Sequence, residues 1–90
     1  MKNVKVEQME GNNGPVKNQF IIWTEEGKYF QSYNTVIAFR ALGGKISLDA
    51  EKWDYSVTTG KYRNLFLGET KTETEKKIAS GEYILADLNK

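Results

Sequence analysis

Neither cysteine nor histidine occurs among the 90 residues, and proline occurs once. Without cysteine there is no disulfide framework, no thiolate nucleophile and no thiolate zinc site. Without histidine the chain lacks the commonest general base and the commonest transition-metal ligand. Long apolar runs are missing as well. Phe20-Ile21-Ile22-Trp23 and Val36-Ile37-Ala38-Phe39 are among the longest, far short of the ~20 residues a membrane helix needs. The start, Met1-Lys2-Asn3-Val4-Lys5-Val6-Glu7, has basic residues but no apolar segment or cleavage site of a secretory leader. The expectation is a cytoplasmic protein with no membrane partner. An excess of one charge is also absent: 13 Lys and Arg oppose 12 Asp and Glu, a net charge of +1. Such a balance argues against a strong electrostatic footprint for nucleic acid.

What is present resembles an ordinary globular domain, with 39% hydrophobic and 28% charged residues. The length suits a single domain over residues 1–90. A fold of this size buries only about 60–65% of the surface its unfolded chain exposes, so the core must be efficient. The first half reads as strands. Val4 and Val6 alternate with Lys5 and Glu7, the period of a half-exposed strand. Gly11-Asn12-Asn13-Gly14-Pro15 interrupts the pattern with turn residues. Residues 16–24 and 28–33 are rich in aromatic and β-branched side chains and flank Glu25-Glu26-Gly27, which predicts a hairpin. Asn34-Thr35 turns the chain into Val36–Ala41, and Gly43-Gly44 reverses it into Lys45–Leu48.

The second half changes period. Asp49 or Ser56 is placed to cap a short helix, and residues 59–67 set Tyr62 and Phe66 four apart on one helical face. Gly68 suits the left-handed stop of that helix. Thr72-x-x-Glu75 has capping-box spacing, Glu73 and Lys77 stand at i,i+4, and Gly81 ends a second helix. That helix offers little apolar surface beyond Ile78 and Ala79, so it is expected at the sheet edge. Tyr83–Ala86 reads as a returning strand. The predicted fold class is α+β, an antiparallel β-meander of about five to six strands with two short helices near the C-terminus.

Catalytic and metal motifs fail on spacing. Asp49, Glu51 and Asp54 form the densest acidic cluster, but Trp53 stands at a ligand position of a calcium loop, Asp54 at its glycine, and Gly60 at its closing glutamate. Helix capping and a solvated acidic turn account for these residues. Gly60-Lys61 lacks the remainder of a phosphate loop, because Tyr55 and Tyr62 occupy the positions that need Gly and Ser or Thr. A carboxylate pair for glycoside hydrolysis is not fixed by anything in the sequence. The expectation is a non-enzyme with no cofactor and no metal.

One cluster supports a positive hypothesis. Lys52-Trp53-Asp54-Tyr55 and Lys61-Tyr62-Arg63-Asn64 interleave aromatic, basic and amide groups. Trp53, Tyr55, Lys61, Tyr62 and Arg63 are therefore candidate partner-binding residues. The composition suits a protein interface, whose hot spots favour Trp, Tyr and Arg. It also suits a single-stranded nucleic-acid surface, where bases stack on aromatics for ~1–3 kcal/mol each. Trp53, Tyr62 and Phe66 serve equally as pins between helices and sheet.

The strings Tyr29–Asn34, Gly44–Asp49, Trp53–Ser56, Thr58–Asn64, Phe66–Glu69 and Ser80–Tyr83 together resemble a family of short uncharacterised proteins carried by bacteriophages and related mobile elements. The resemblance covers about two thirds of the chain, and the block from Trp53 to Glu69 is its most specific part. It implies a small accessory protein in an infected bacterial cell and assigns no residue a role. The functional expectation is non-catalytic binding to a host or phage protein, for instance to inhibit a bacterial defence system. The alternatives are a single-stranded nucleic-acid-binding module and a minor virion or assembly component.

Overall fold

A computed structural model describes residues 4–11 and 13–90. Strands β1 (Lys5–Gly11), β2 (Gly14–Thr24), β3 (Gly27–Ser32), β4 (Thr35–Ala41) and β5 (Ile46–Asp49) are followed by helices α1 (Val57–Leu67) and α2 (Lys71–Ser80), then by β6 (Tyr83–Ala86). The six strands form one sheet in sequence order, and each of the first four pairings is antiparallel. This is the expected α+β class. The meander, however, stops at β5. Strand β6 pairs with β5 in parallel, Ile46 opposite Tyr83 and Asp49 opposite Ala86. The reason is the connection: a parallel neighbour requires a crossover, and the two helices supply it.

The expected hairpins form with small shifts. Gly27 has φ +148, and a Cβ there would lie 2.1 Å from the Arg40 carbonyl oxygen. Only glycine lets β3 begin this close to β4. Asn12, within the expected first turn, lies outside the described residues. Beyond Gln8 the β1–β2 register jumps, with Glu10 opposite Pro15. A bulge also interrupts β3–β4, between Phe30 opposite Ala38 and Gln31 opposite Val36. The extra residue leaves Ile37 and Ala38, consecutive in sequence, both fully buried.

Helix α1 begins two residues before the expected start. Ser56, one of the two proposed caps, accepts from the Thr59 N–H at 3.1 Å. Asp49 instead caps the turn after β5, accepting from the backbone of Lys52 and Glu51. The capping box of α2 sits at Thr70 and Glu73, not at Thr72 and Glu75. Both registers satisfy the motif. The earlier one wins because it turns Thr74 into the interior, where it is fully buried and donates to Glu69. The expected Glu73–Lys77 ion pair is likewise replaced: Lys77 bonds Glu69 at 2.7 Å, while Glu73 serves the cap.

The helices cover one face of the sheet. Phe66 of α1 lies over Phe30 of β3 with ring centroids 5.8 Å apart. Around them Met9, Ile37, Leu48, Leu67 and Tyr83 close the core. Helix α2 packs on β6, the edge strand, as its sparse apolar surface predicts, and Ile78 reaches the core cluster. The C-terminal segment ties down the end of the sheet. Asn89 hydrogen-bonds both backbone groups of Val36, and Asp49 accepts from Leu88 and Asn89.

Candidate functional site

Of the five residues singled out by the sequence, the structure turns some inward and leaves others on the surface. Arg63 is 1% exposed. Its guanidinium donates to the Trp53 carbonyl at 2.8 Å, to Asp54 Oδ1 at 3.1 Å and to Asn64 Oδ1 at 3.0 Å. It also stands over the Trp53 ring, 5.1 Å from its centroid. Arg63 is thus a clamp between α1 and the preceding loop, with almost none of its surface open to solvent. Trp53 and Tyr62 are half-buried and pack against the core. Tyr55 and Lys61 are exposed.

Lys71 extends the clamp to α2, its Nζ 2.7 Å from Asp54 Oδ2. Desolvation pushes the Asp54 carboxyl up, but hydrogen bonds and charge from Lys71 and Arg63 outweigh it and hold the group below its ordinary range. Loop, α1 and α2 are therefore joined through one carboxylate.

Above this clamp lies a shallow groove of about 710 Å³. Val57, Lys61 and Leu65 line it at intervals of four along the outer ridge of α1. Val57 is 92% and Leu65 57% exposed, with Tyr55 beside them. Lys61, Tyr62 and Leu65 also border a second groove of about 690 Å³ against the tip of the β1–β2 hairpin. The ridge thus carries apolar groups between two depressions. Val57 and Leu65 did not stand out in the sequence, although their spacing from Lys61 marks the helix face opposite Phe66.

The surrounding charges are mainly basic. Lys52 lies over Tyr55 at 5.3 Å and Lys61 over Tyr62 at 5.4 Å, so a cation already occupies one face of each ring. A second polar cluster, under α2, is closed. Glu69 accepts from Lys77 at 2.7 Å, Tyr83 at 2.8 Å and Thr74 at 2.5 Å. Burial raises the Glu69 carboxyl, and these three donors outweigh it and hold it low. Burial and the same carboxylate push the Tyr83 hydroxyl up. Lys77 and Thr74 of α2 and Tyr83 of β6 thus meet at one carboxylate. Among the described residues no group of three carboxylates converges as a cation site, and no helix is long and apolar enough to cross a membrane.

The fold and site define a small α+β domain, a six-stranded sheet with two helices on one face and a basic, apolar ridge on the first helix. Residues 4–82 match DUF8033, a family of unknown function, and the chain belongs to that family. No curated protein and no solved structure matches it.

Proposed function

We propose that this is a bacteriophage-carried accessory protein that acts without catalysis, by docking the outer ridge of α1 on a host or phage protein inside the bacterial cell. Inhibition of a bacterial defence system is the form of that action the reading favours. The phage context rests on the sequence resemblance described above. The observation that carries the binding mode is the exposed row Val57, Lys61 and Leu65 with Tyr55 beside it. Exposed apolar groups gathered in one place mark interaction surfaces, whereas scattered ones do not. Lys52, Lys61 and Lys71 around the row fit a partner that presents apolar side chains among carboxylates.

Nucleic acid is the weaker reading, because lysines already cover one face of Tyr55 and of Tyr62 where a base would stack. The test is capture of partners from phage-infected lysate by the tagged protein, with and without nuclease, alongside the variants Leu65→Asp and Val57→Asp. The expected result is a stoichiometric protein complex that survives nuclease and is lost in either variant. Capture abolished by nuclease transfers the function to nucleic acid. Capture unaffected by both variants places the interface elsewhere.

A further inference from the structure

The strand registers place one row of side chains across the entire sheet on the side away from the helices. Val6 stands opposite Ile22, Ile22 opposite Tyr29, Tyr29 opposite Phe39, Phe39 opposite Ser47, and Ser47 opposite Ile84. Tyr29 and Phe39, at the centre, touch with ring centroids 4.4 Å apart. Phe20 extends the apolar surface one row further, opposite Gln8 and Gln31. The ends remain open to solvent, with Val6 58% and Ile84 43% exposed.

The adjacent row, on the helix side, has the contrary character. Lys5, Trp23, Lys28 and Arg40 stand in register there, and Lys28 and Arg40 lie over the Phe66 ring. A sheet covered on one face ordinarily sends its charges to the other, solvated face. These strands do the reverse. Their charges accompany the helices, and the uncovered row from Val6 to Ile84 contains no ionisable group except the tyrosine. Carboxylates stand only at the margins of this row: Glu10 lies beyond the register jump of β1–β2, and Asp49 at the end of β5 is buried and bonded to Lys52, Leu88 and Asn89.

We propose that the uncovered face is the contact surface between two copies of this chain, stacked sheet on sheet about a two-fold axis. A row without charged groups meets itself without repulsion, and an isologous contact needs a patch complementary to itself. The area is also sufficient. Six strands at ~4.8 Å spacing and about 20 Å long give a footprint of about 600 Å² per copy. Two copies then bury about 1,200 Å², the lower limit of specific interfaces. Aligned sheets packed about 10 Å apart interdigitate side chains of this kind in β-sandwiches. The centre of the stack is the Tyr29–Phe39 pair, on the two middle strands. This pairing uses the face, leaving the edges β1 and β6 unpaired and the α1 ridge open.

The test is sedimentation equilibrium from about 5 to about 500 µM, a range that brackets a contact of this size. The mass is expected to rise from 10.3 kDa towards twice that value. Val6→Lys combined with Ile84→Lys, on the exposed ends of the row, should raise the dissociation constant at least about tenfold. Phe39→Glu, at the centre, should abolish the dimer. The paired lysine variant keeps the test sharp if Phe39→Glu does not fold, which circular dichroism reports. A monomer throughout the range overturns the proposal. A dimer of unchanged affinity in the folded lysine variant overturns it too.

Discussion

Arg63 shows how one side chain changes meaning with its surroundings. In sequence it belongs to a basic and aromatic string of the kind found at binding surfaces. In the fold its fork satisfies the Trp53 carbonyl, Asp54 and Asn64, and its plane rests on the Trp53 ring. A guanidinium suits this position because it offers several donors in fixed directions and tolerates an aromatic face, which an ammonium does not reproduce. Arg63→Ala removes those donors and leaves a cavity beneath the loop. We expect a loss of about 2–4 kcal/mol in urea unfolding, moderated because Lys71 still neutralises Asp54. Arg63→Lys should recover less than half of that loss. If Arg63→Ala unfolds at the midpoint of the parent protein, the clamp contributes nothing to stability.

At the level of elements, the turns and caps rest on local backbone demands. The β2–β3 turn needs Gly27 because its φ is positive and a side chain would meet the Arg40 carbonyl. Gly27→Ala is therefore expected to cost at least about 3 kcal/mol, near the upper end for single substitutions. Alanine at Gly43, where a Cβ meets nothing within 4 Å and φ is not positive, serves as the control and should change stability by less than about 0.5 kcal/mol. Equal unfolding midpoints for the two variants would show that β3 can shift away from β4. The hairpins, both helices and the αL stop at Gly68 are legible in the sequence because each depends on neighbours in the chain. The capping box was legible only as a motif. Its register was decided by Thr74, which must reach Glu69.

For the molecule as a whole, two carboxylates fasten the helices to the rest, Asp54 at the loop and Glu69 at β6. Both are held below the ordinary values of 3.8 and 4.5. Groups depressed on folding contribute stability that is present above the ordinary value and lost as pH falls through the lowered one. Tyr83 and Lys77 are shifted the other way, above 10.0 and 10.5. The stability they contribute is present below those values and lost as pH rises through the raised ones. The expected profile of urea midpoint against pH is a plateau between about pH 5 and about pH 9 with a fall on each side. Glu69→Gln should flatten the acid limb, and an unchanged limb would assign acid unfolding to other groups. The two surfaces proposed for binding lie on opposite sides of the molecule, the α1 ridge on one and the uncovered sheet face on the other.

The sequence by itself determined the α+β class, the order of the strands and helices, the hairpin turns and the basic, aromatic character of the segment around α1. These follow from periodicity, turn residues and caps, which act over a few residues. Only the tertiary structure decided that β6 runs parallel to β5, since antiparallel and parallel returns have the same local pattern. It also decided that Ile37 and Ala38 both face inward, because a bulge shifts which side chains share a face without changing strand propensity. Arg63 is buried and Val57 and Leu65 are exposed for a similar reason: the packing of α1 selects which of its faces meets Phe30. The ladder from Val6 to Ile84 is the clearest case. Its six residues come from six separate strands, and only the hydrogen-bonded registers between them make it one surface.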